Sequence, residues 1–306
     1  MSSIHHDMPA VETAARSYSR AAIGLRNPHL TEILQVQSGL TWVEIHSENY
    51  LLPPTAPRSR ALELVRRDID LSCHGVGLSI CSATGLDRDH LRDLRVFYDR
   101  TQPFMISEHL AWSVVDGRYY NDLLPIPYND ETLAIVCRNI DQAQEALGRK
   151  LLIENPSRYI DLPGSTWPEA AFLSELTKRT GCGLLFDVNN LYISAHNLRF
   201  DIASYLWDLS LKSIGQFHVA GHSRRELRAP DGSADIVLID DHGSAVPNAV
   251  WHLLETMLAL TGPKPVLVEW DNEVPPLAAL LAEATKAQCM LDEIAGRSER
   301  QPEHAA

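Results

Sequence analysis

Cysteine is scarce and scattered. The 306-residue chain has five (Cys73, Cys81, Cys137, Cys182 and Cys289), an odd number with no C-x-x-C pair. That argues against a disulfide framework and against a thiolate-held zinc or iron–sulfur site; reduced thiols in a cytoplasmic protein are the expectation. No apolar run approaches the ~18 residues of a membrane span. The opening MSSIHHDMPA lacks the basic-then-apolar pattern of a secretory signal. Positive charge is also short: 27 Lys and Arg stand against 40 Asp and Glu, a formal net charge of −13. A nucleic-acid backbone as principal partner needs the opposite balance. There is no G-x-S-x-G elbow, P-loop or complete dinucleotide fingerprint, and the Gly-x-Gly of GVGLS reads as a tight turn. No Gly/Ser linker or internal repeat divides the chain.

What is present is an alternation of short apolar runs with amphipathic segments. Strands are expected near 22–26, 42–46, 70–74, 103–108, 151–154, 183–188, 214–219 and 265–270. Apolar strands separated by helices are what a parallel sheet covered on both faces requires. The helices carry their own punctuation. Asn129 or Asp130 can cap a segment whose Leu133, Val136, Ile140, Ala143 and Leu147 trace one face up to Gly148. Thr166 and Glu169 form a T-x-x-E pattern, and Gly181 ends the helix that follows. Pro247 suits a first helical turn. The economical architecture is one α/β domain, a TIM-type (β/α)8 barrel over 19–296, between a flexible N-terminus (1–18) and a flexible C-terminal tail (297–306).

Eight metal-binding side chains recur along the chain, nearly all at the ends of apolar runs: His74, His109, Glu154, Asp187, His218, Asp240, His242 and Glu269. In such a barrel the C-terminal strand ends open into one cup, where active sites are built. Ligands far apart in sequence become neighbours there. Converging buried carboxylates repel one another and need donors or a cation, and metal ions meet that need directly. A lone strand-end histidine is more often a satisfied core residue; the set of eight changes that reading. Asp240 and His242, two apart in LIDDHG, share a face if the backbone is extended, with Asp241 left as a turn residue.

Flanking polar residues are expected to contact substrate or orient ligands: His46, Glu48 and Asn49 in EIHSENY, Asn155, Asn189 in FDVNN, and His222. Asn190 and His196 fit turn or cap roles. Arg224, Arg225 and Arg228 form a basic spot, either a solvated loop or a docking patch for an acidic peptide.

The ordered segments AIGLRNPH, EIHSENY, CHGVGLSI, ISEHLAWS, LLPIPY, IENPSRY, FDVNNLYISAHN, FHVAGH, DDHG and VEWD resemble the multinuclear non-haem iron-dependent oxidases (MNIO) over roughly residues 20–290. HSENY and the short DxHG loop are most similar to the branch that serves bufferin-type copper-binding peptides, rather than to the methanobactin oxidase. The resemblance implies that the same eight residues hold iron, with Glu154 bridging ions and with Glu154, Asp240 and His242 acting in catalysis. It further implies about two or three iron ions in mixed ferrous and ferric states, with dioxygen as co-substrate. The substrate is then a ribosomally made precursor peptide whose cysteines become a heterocycle such as a thiooxazole or an oxazolone with a thioamide. A leader-binding partner protein is expected in a heterodimer, with no nucleic acid and no membrane. Two readings compete: a metal-dependent hydrolase or isomerase of the endonuclease IV/xylose isomerase type on a similar barrel, and a non-catalytic metal-binding protein of copper homeostasis.

Overall fold

A computed structural model describes residues 19–299 apart from 37, 116, 229–231 and 233. The N-terminus expected to be flexible (1–18) and residues 300–306 of the expected tail lie outside the described residues. In chain order the elements are β1 (Ala21–Ile23), β2 (Trp42–His46), α1 (Pro57–Val65), β3 (Asp70–Gly75), α2 (Arg88–Thr101), β4 (Met105–His109), β5 (Trp112–Val115) and β6 (Arg118–Leu124). Next come α3 (Asp130–Leu147), β7 (Leu152–Glu154), α4 (Glu169–Thr180), β8 (Gly183–Asp187), α5 (Val188–Leu198), α6 (Ile202–Asp208) and β9 (Ile214–Ala220). The chain ends with β10 (Ser223–Arg228), β11 (Ala234–Ile239), α7 (Asn248–Thr261), β12 (Val266–Glu269) and α8 (Leu277–Glu299).

Eight strands pair in parallel in the order β1-β12-β9-β8-β7-β4-β3-β2. A parallel bridge between Gly24 and Glu44 brings the two edges together, with Leu25 N donating to Glu44 O at 2.7 Å. The result is a (β/α)8 barrel. Its strands match the eight expected ones to within a few residues. Two antiparallel hairpins, β5–β6 and β10–β11, were not anticipated as strands. Each begins just past the C-terminal end of a barrel strand, β4 and β9 respectively.

The barrel strands alternate rather than run uniformly apolar. Val43, Ile45, Cys73, Ile106, Ile153, Leu184, Phe186, Phe217, Val219, Val266 and Val268 join the main core with helix residues such as Leu133, Val136 and Ile140. Ala22, Trp42 and Leu267 form a separate apolar cluster with Phe104, the Trp42 and Phe104 rings meeting edge to face at 5.5 Å. The two clusters occupy opposite sides of the pleated strands, where successive side chains diverge. The positions in phase with Trp42 carry polar groups instead: Ser72 Oγ and Gln216 Nε2 both donate to Glu44 Oε2, at 2.8 and 2.7 Å.

Helix ends follow the local chemistry with two exceptions. Asn129 caps α3 through a reciprocal pair with Thr132, and Gly148 and Gly181 take left-handed backbone at φ 61° and 68°. Thr166 and Glu169 do not form a capping box: Pro168 occupies the N-cap of α4 without a side-chain bond. The Glu169 carboxylate is bound instead by Arg158 (3.1 Å) and Tyr205 (3.0 Å), stronger partners than a backbone N–H for a buried acid. Pro247 stands at the N-cap of α7, one residue before its first turn.

Candidate metal centre

Parallel register sets the site. His46 pairs with His74, His109 with Glu154, and Asp187 with His218, so these side chains leave neighbouring strands at matched heights. Four triads of ligand atoms result, each with its atoms within 4.8 Å of one another: His74–His109–Glu154, Glu154–Asp187–His218, Asp187–His242–Glu269 and His46–Glu269–Asp271. Glu154, Asp187 and Glu269 each belong to two triads, so the four form one linked chain. Seven of the eight expected ligands lie in it. The eighth, Asp240, meets His242 Nε2 through Oδ1 at 2.8 Å.

In the first triad Glu154 Oε2 is 3.0 Å from His74 Nε2 and 3.2 Å from His109 Nε2, and the two nitrogens are 3.3 Å apart. His109 Nδ1 faces the carbonyl of Gly75 at 3.0 Å, and a carbonyl can only accept. In the neutral ring the lone pair is therefore on Nε2, aimed at the carboxylate. Glu154 Oε2, although close to both rings, is buried with no aligned hydrogen bond, and Asp187 Oδ2 is likewise unpartnered. Asp187 Oδ1 caps α5 by accepting from Asn190 N at 2.6 Å, which leaves the other oxygen for the cluster. Unpartnered buried acceptors on two carboxylates of one triad are the arrangement that a cation resolves. Imidazole with carboxylate suits iron, manganese or zinc, so these residues fit a metal.

The electrostatics of these side chains agree. Burial opposes charge on His109, yet Glu154 and Glu108 raise it to about 9. Burial also opposes charge on His218 and His242, but Glu44 and Asp240 respectively hold them well above the usual imidazole range, Glu269 assisting in both. Despite burial, His218 pulls Glu44 down to about 2. Asp187 goes the other way: burial, Glu154 and Asp240 push it well above the carboxylate range. Protons on the imidazoles thus offset a charge that a metal would offset by displacing them.

Several residues absent from the expected set support the centre. Glu44 Oε1 lies 3.0 Å from His218 Nε2 on the ring's far side from Glu269, whose Oε2 is 3.1 Å from His218 Nδ1. Ser107 Oγ meets His74 Nδ1 at 2.8 Å. Arg26 Nη2 donates to Glu269 Oε1 at 2.7 Å, and Arg26 Nε donates to Asp271 Oδ1 at 2.5 Å. The missed signal was period-2 alternation: Glu44, Ser72, Ser107 and Gln216 each stand two residues before His46, His74, His109 and His218.

The flanking residues divide. His46 is at the cup, 3.0 Å from Arg26 Nη2 and 3.5 Å from Glu269 Oε1; burial, with the Arg26 charge, pushes it below the usual imidazole range. Asn189 Nδ2 donates to Asp240 Oδ1 at 2.9 Å, and Asn189 Oδ1 meets His222 Nδ1 at 2.7 Å. The His222 ring stacks on Tyr192 at 5.5 Å. Glu48 does not share a face with His46, because β2 ends there and Ser47–Tyr50 turn as a 3-10 helix. Its oxygens accept from Val76 N (3.1 Å) and Gly77 N (2.9 Å), fixing the loop after β3. Asn49, exposed on that turn, lends its carbonyl to Arg58 at 3.2 Å. Asn155 is buried and spends both ends of its amide on the backbone of Asp187, Oδ1 accepting from its N at 2.8 Å and Nδ2 donating to its O at 3.0 Å. It positions the strand end that carries Asp187.

The Asp240–His242 pairing has a different origin from the extended backbone expected. β11 stops at Ile239, and His242 adopts left-handed backbone at φ 46°. Its carbonyl accepts from Asp271 N (2.9 Å) and Asn272 N (3.1 Å), which pins the loop to the end of β12. Asp241 serves the turn, its Oδ1 accepting from Gly243 N at 3.4 Å. His196 Nε2 donates to Ile236 O at 3.0 Å, tying α5 to the β10–β11 hairpin. Arg224, Arg225 and Arg228 are exposed on β10.

Residues 20–292 match the family model described as RiPP precursor modification enzyme MbnB/TglH/ChrH. A UPF0276 protein of Bordetella bronchiseptica is 46% identical, the match covering 89% of this chain and 93% of the relative. A UPF0276 protein of Caulobacter vibrioides (strain NA1000 / CB15N) is 43% identical over 93% of this chain and 98% of its own. Among solved structures, D-psicose 3-epimerase from Clostridium cellulolyticum H10 superposes with a TM-score of 0.53 at 12% identity, covering 92% of this chain and 96% of that one. Endonuclease IV from Thermus thermophilus gives 0.52 at 14%, covering 90% and 99%. At such identities the likeness is one of fold alone.

Proposed function

This chain belongs to the MbnB/TglH/ChrH family of RiPP precursor modification enzymes, and from that premise we propose that it is an iron-dependent oxidase acting on peptidyl cysteine. In this reading it uses dioxygen to convert cysteines of a ribosomally made precursor into a heterocycle, a thiooxazole or an oxazolone with a thioamide, for a copper-binding peptide. A leader-binding protein acts with it as a heterodimer.

The observation that supports this most is the linked run of triads, in which Glu154 and Asp187 are each shared between adjacent ones. Carboxylates with two oxygens can serve neighbouring ions. Iron held there supplies the electron transfer that dioxygen chemistry requires, since imidazole and carboxylate ligands accommodate both ferrous and ferric states. The chain's own groups arrange the rest. Glu44 orients His218, Asn155 fixes Asp187, and Asn189 joins His222 to Asp240. With Nδ1–H donated to Asn189, neutral His222 keeps its lone pair on Nε2, suited to accept a proton. One hairpin exposes Tyr119, Tyr120 and Leu123 and the other Leu227, apolar side chains on strand edges of the kind an extended peptide contacts. Among the described residues no helix is long and apolar enough to cross a membrane.

The test presents anaerobically iron-loaded protein, its partner and the precursor peptide with oxygen. Oxygen consumption and a changed peptide mass are expected, both lost in Glu154→Gln. A full iron complement with unmodified cysteines overturns the reading. Stoichiometric zinc with sugar epimerisation or phosphodiester cleavage points to the isomerase or hydrolase instead. Peptide modification in cells that survives Glu154→Gln points to a non-catalytic metal-binding protein.

A further inference from the structure

Arg26 touches every member of one of the four triads, and the neighbouring Asp187–His242–Glu269 triad only through the Glu269 that the two share. Arg26 follows the seam where β1 meets β2, and its side chain turns back over Gly24, where a Cβ would stand 3.0 Å from Nη1. From there the guanidinium reaches every member of the His46–Glu269–Asp271 triad: Nη2 lies 2.7 Å from Glu269 Oε1 and 3.0 Å from His46 Nε2, and Nε lies 2.5 Å from Asp271 Oδ1.

We propose that the Arg26 guanidinium is the resident cation of this triad, so that His46 and Asp271 hold arginine rather than metal and the metal-binding part of the centre stops at Glu269. The inference rests on the multinuclear reading above and adds a limit to it. Arginine has five N–H donors, no acceptor and no accessible deprotonated form. His46 Nε2 at 3.0 Å from Nη2 must therefore be the acceptor. The lone pair that a metal would use is spent on arginine. Glu269 is divided in the same way, Oε1 toward Arg26 and Oε2 toward His218 Nδ1 (3.1 Å) and His242 Nδ1 (3.6 Å). One carboxylate thus marks the boundary between a side held by a fixed organic cation and a side open to ions. A guanidinium and a divalent ion cannot occupy that triad together, on grounds of both space and charge.

The experiment uses the full chain, stripped of metal and reconstituted anaerobically with ferrous ammonium sulfate, with manganese(II) chloride as a redox-inert second probe. Bound metal per chain is measured after desalting by plasma mass spectrometry. His46→Gln is expected to retain the wild-type count. Arg26→Met is expected to bind about one more ion per chain, which the double variant Arg26→Met/His46→Gln loses again. A count lowered by one ion in His46→Gln, with Arg26 intact, overturns the proposal. So does a folded Arg26→Met with no additional ion. Should Arg26→Met not fold, His46→Gln and Asp271→Asn in the wild-type background decide alone, an unchanged count supporting and a lowered count refuting. A wild-type chain that takes up no ion overturns the multinuclear reading and this inference with it, whereas a metal-loaded wild type with a depleted His46→Gln overturns this inference only.

Discussion

His109 donates Nδ1–H to the carbonyl of Gly75 across 3.0 Å, and this bond determines which of its nitrogens faces Glu154. Gly75 is the last residue of β3 and His109 the last of β4, so strand pairing itself sets the tautomer of a candidate ligand. Nε2 is left either to carry a proton or to bind a metal.

That choice gives a pH dependence. In the metal-free protein His109 is raised to about 9 from an ordinary value of 6.5. A raised imidazole contributes stability that is fully present below its unfolded value and is lost as pH climbs through its folded one. His218, His242 and Asp187, also raised, act in the same direction. The thermal midpoint of stripped protein is therefore expected to fall between pH 6.5 and 9, while affinity for ferrous or manganous ion rises as protons are displaced. Unfolding scans and metal competition at matched pH check both halves. Parallel trends in the two would contradict the shared use of Nε2.

Glu44→Gln keeps the shape of a group 3.0 Å from His218 Nε2 and removes its charge. Metal affinity is expected to fall roughly 10–100-fold with the fold retained, the effect of losing a carboxylate behind a ligating histidine. Calorimetric titration with manganese measures it, and an unaltered affinity would reduce Glu44 to packing.

Asn155→Ala strands the backbone N–H of Asp187 in a buried position and removes one of the bonds to its C=O, which as the N-cap of α5 keeps the first helical bond. The unpaired N–H costs about 1–3 kcal/mol. Urea unfolding should register that loss, with weaker metal binding alongside. If stability were unchanged and only peptide affinity fell, Asn155 would be a substrate contact after all.

Gly221 admits no side chain. A Cβ there would stand 2.1 Å from Ser244 O and 2.6 Å from Ser244 C, both backbone atoms of the segment that follows His242. Gly221→Ala must displace that segment and with it the Asp240–His242 pair. Overpacking of this kind costs about 1–3 kcal/mol. Crystallography or metal counts on the variant should show the Asp240–His242 loop moved, whereas Gly243→Ala, with nothing nearer than 3.6 Å, should be milder.

Much of the architecture could be read without coordinates because it depends on short-range patterns. Leu133, Val136, Ile140, Ala143 and Leu147 recur at helical spacing, and all are buried on α3. Strand-end polar residues after apolar runs located His74, His109, Glu154 and Asp187 because parallel register aligns strand ends. The hairpins were missed for a corresponding reason. YYNDLL and SRRELR lack a buried face, and exposed two-stranded ribbons carry little hydrophobic signal.

Sequence alone determined the period of each element, the polar ends of the barrel strands and hence the residue types that could meet at one rim, because these follow from backbone geometry and burial. Tertiary structure decided how each group is used. Glu48 and Asn155 turned to backbone amides, Glu169 left its helix cap for Arg158, and Arg26 came to stand against Glu269, a residue 243 positions away in the chain. Those outcomes depend on which donor lies nearest a buried acceptor, and that proximity exists only once the barrel has closed.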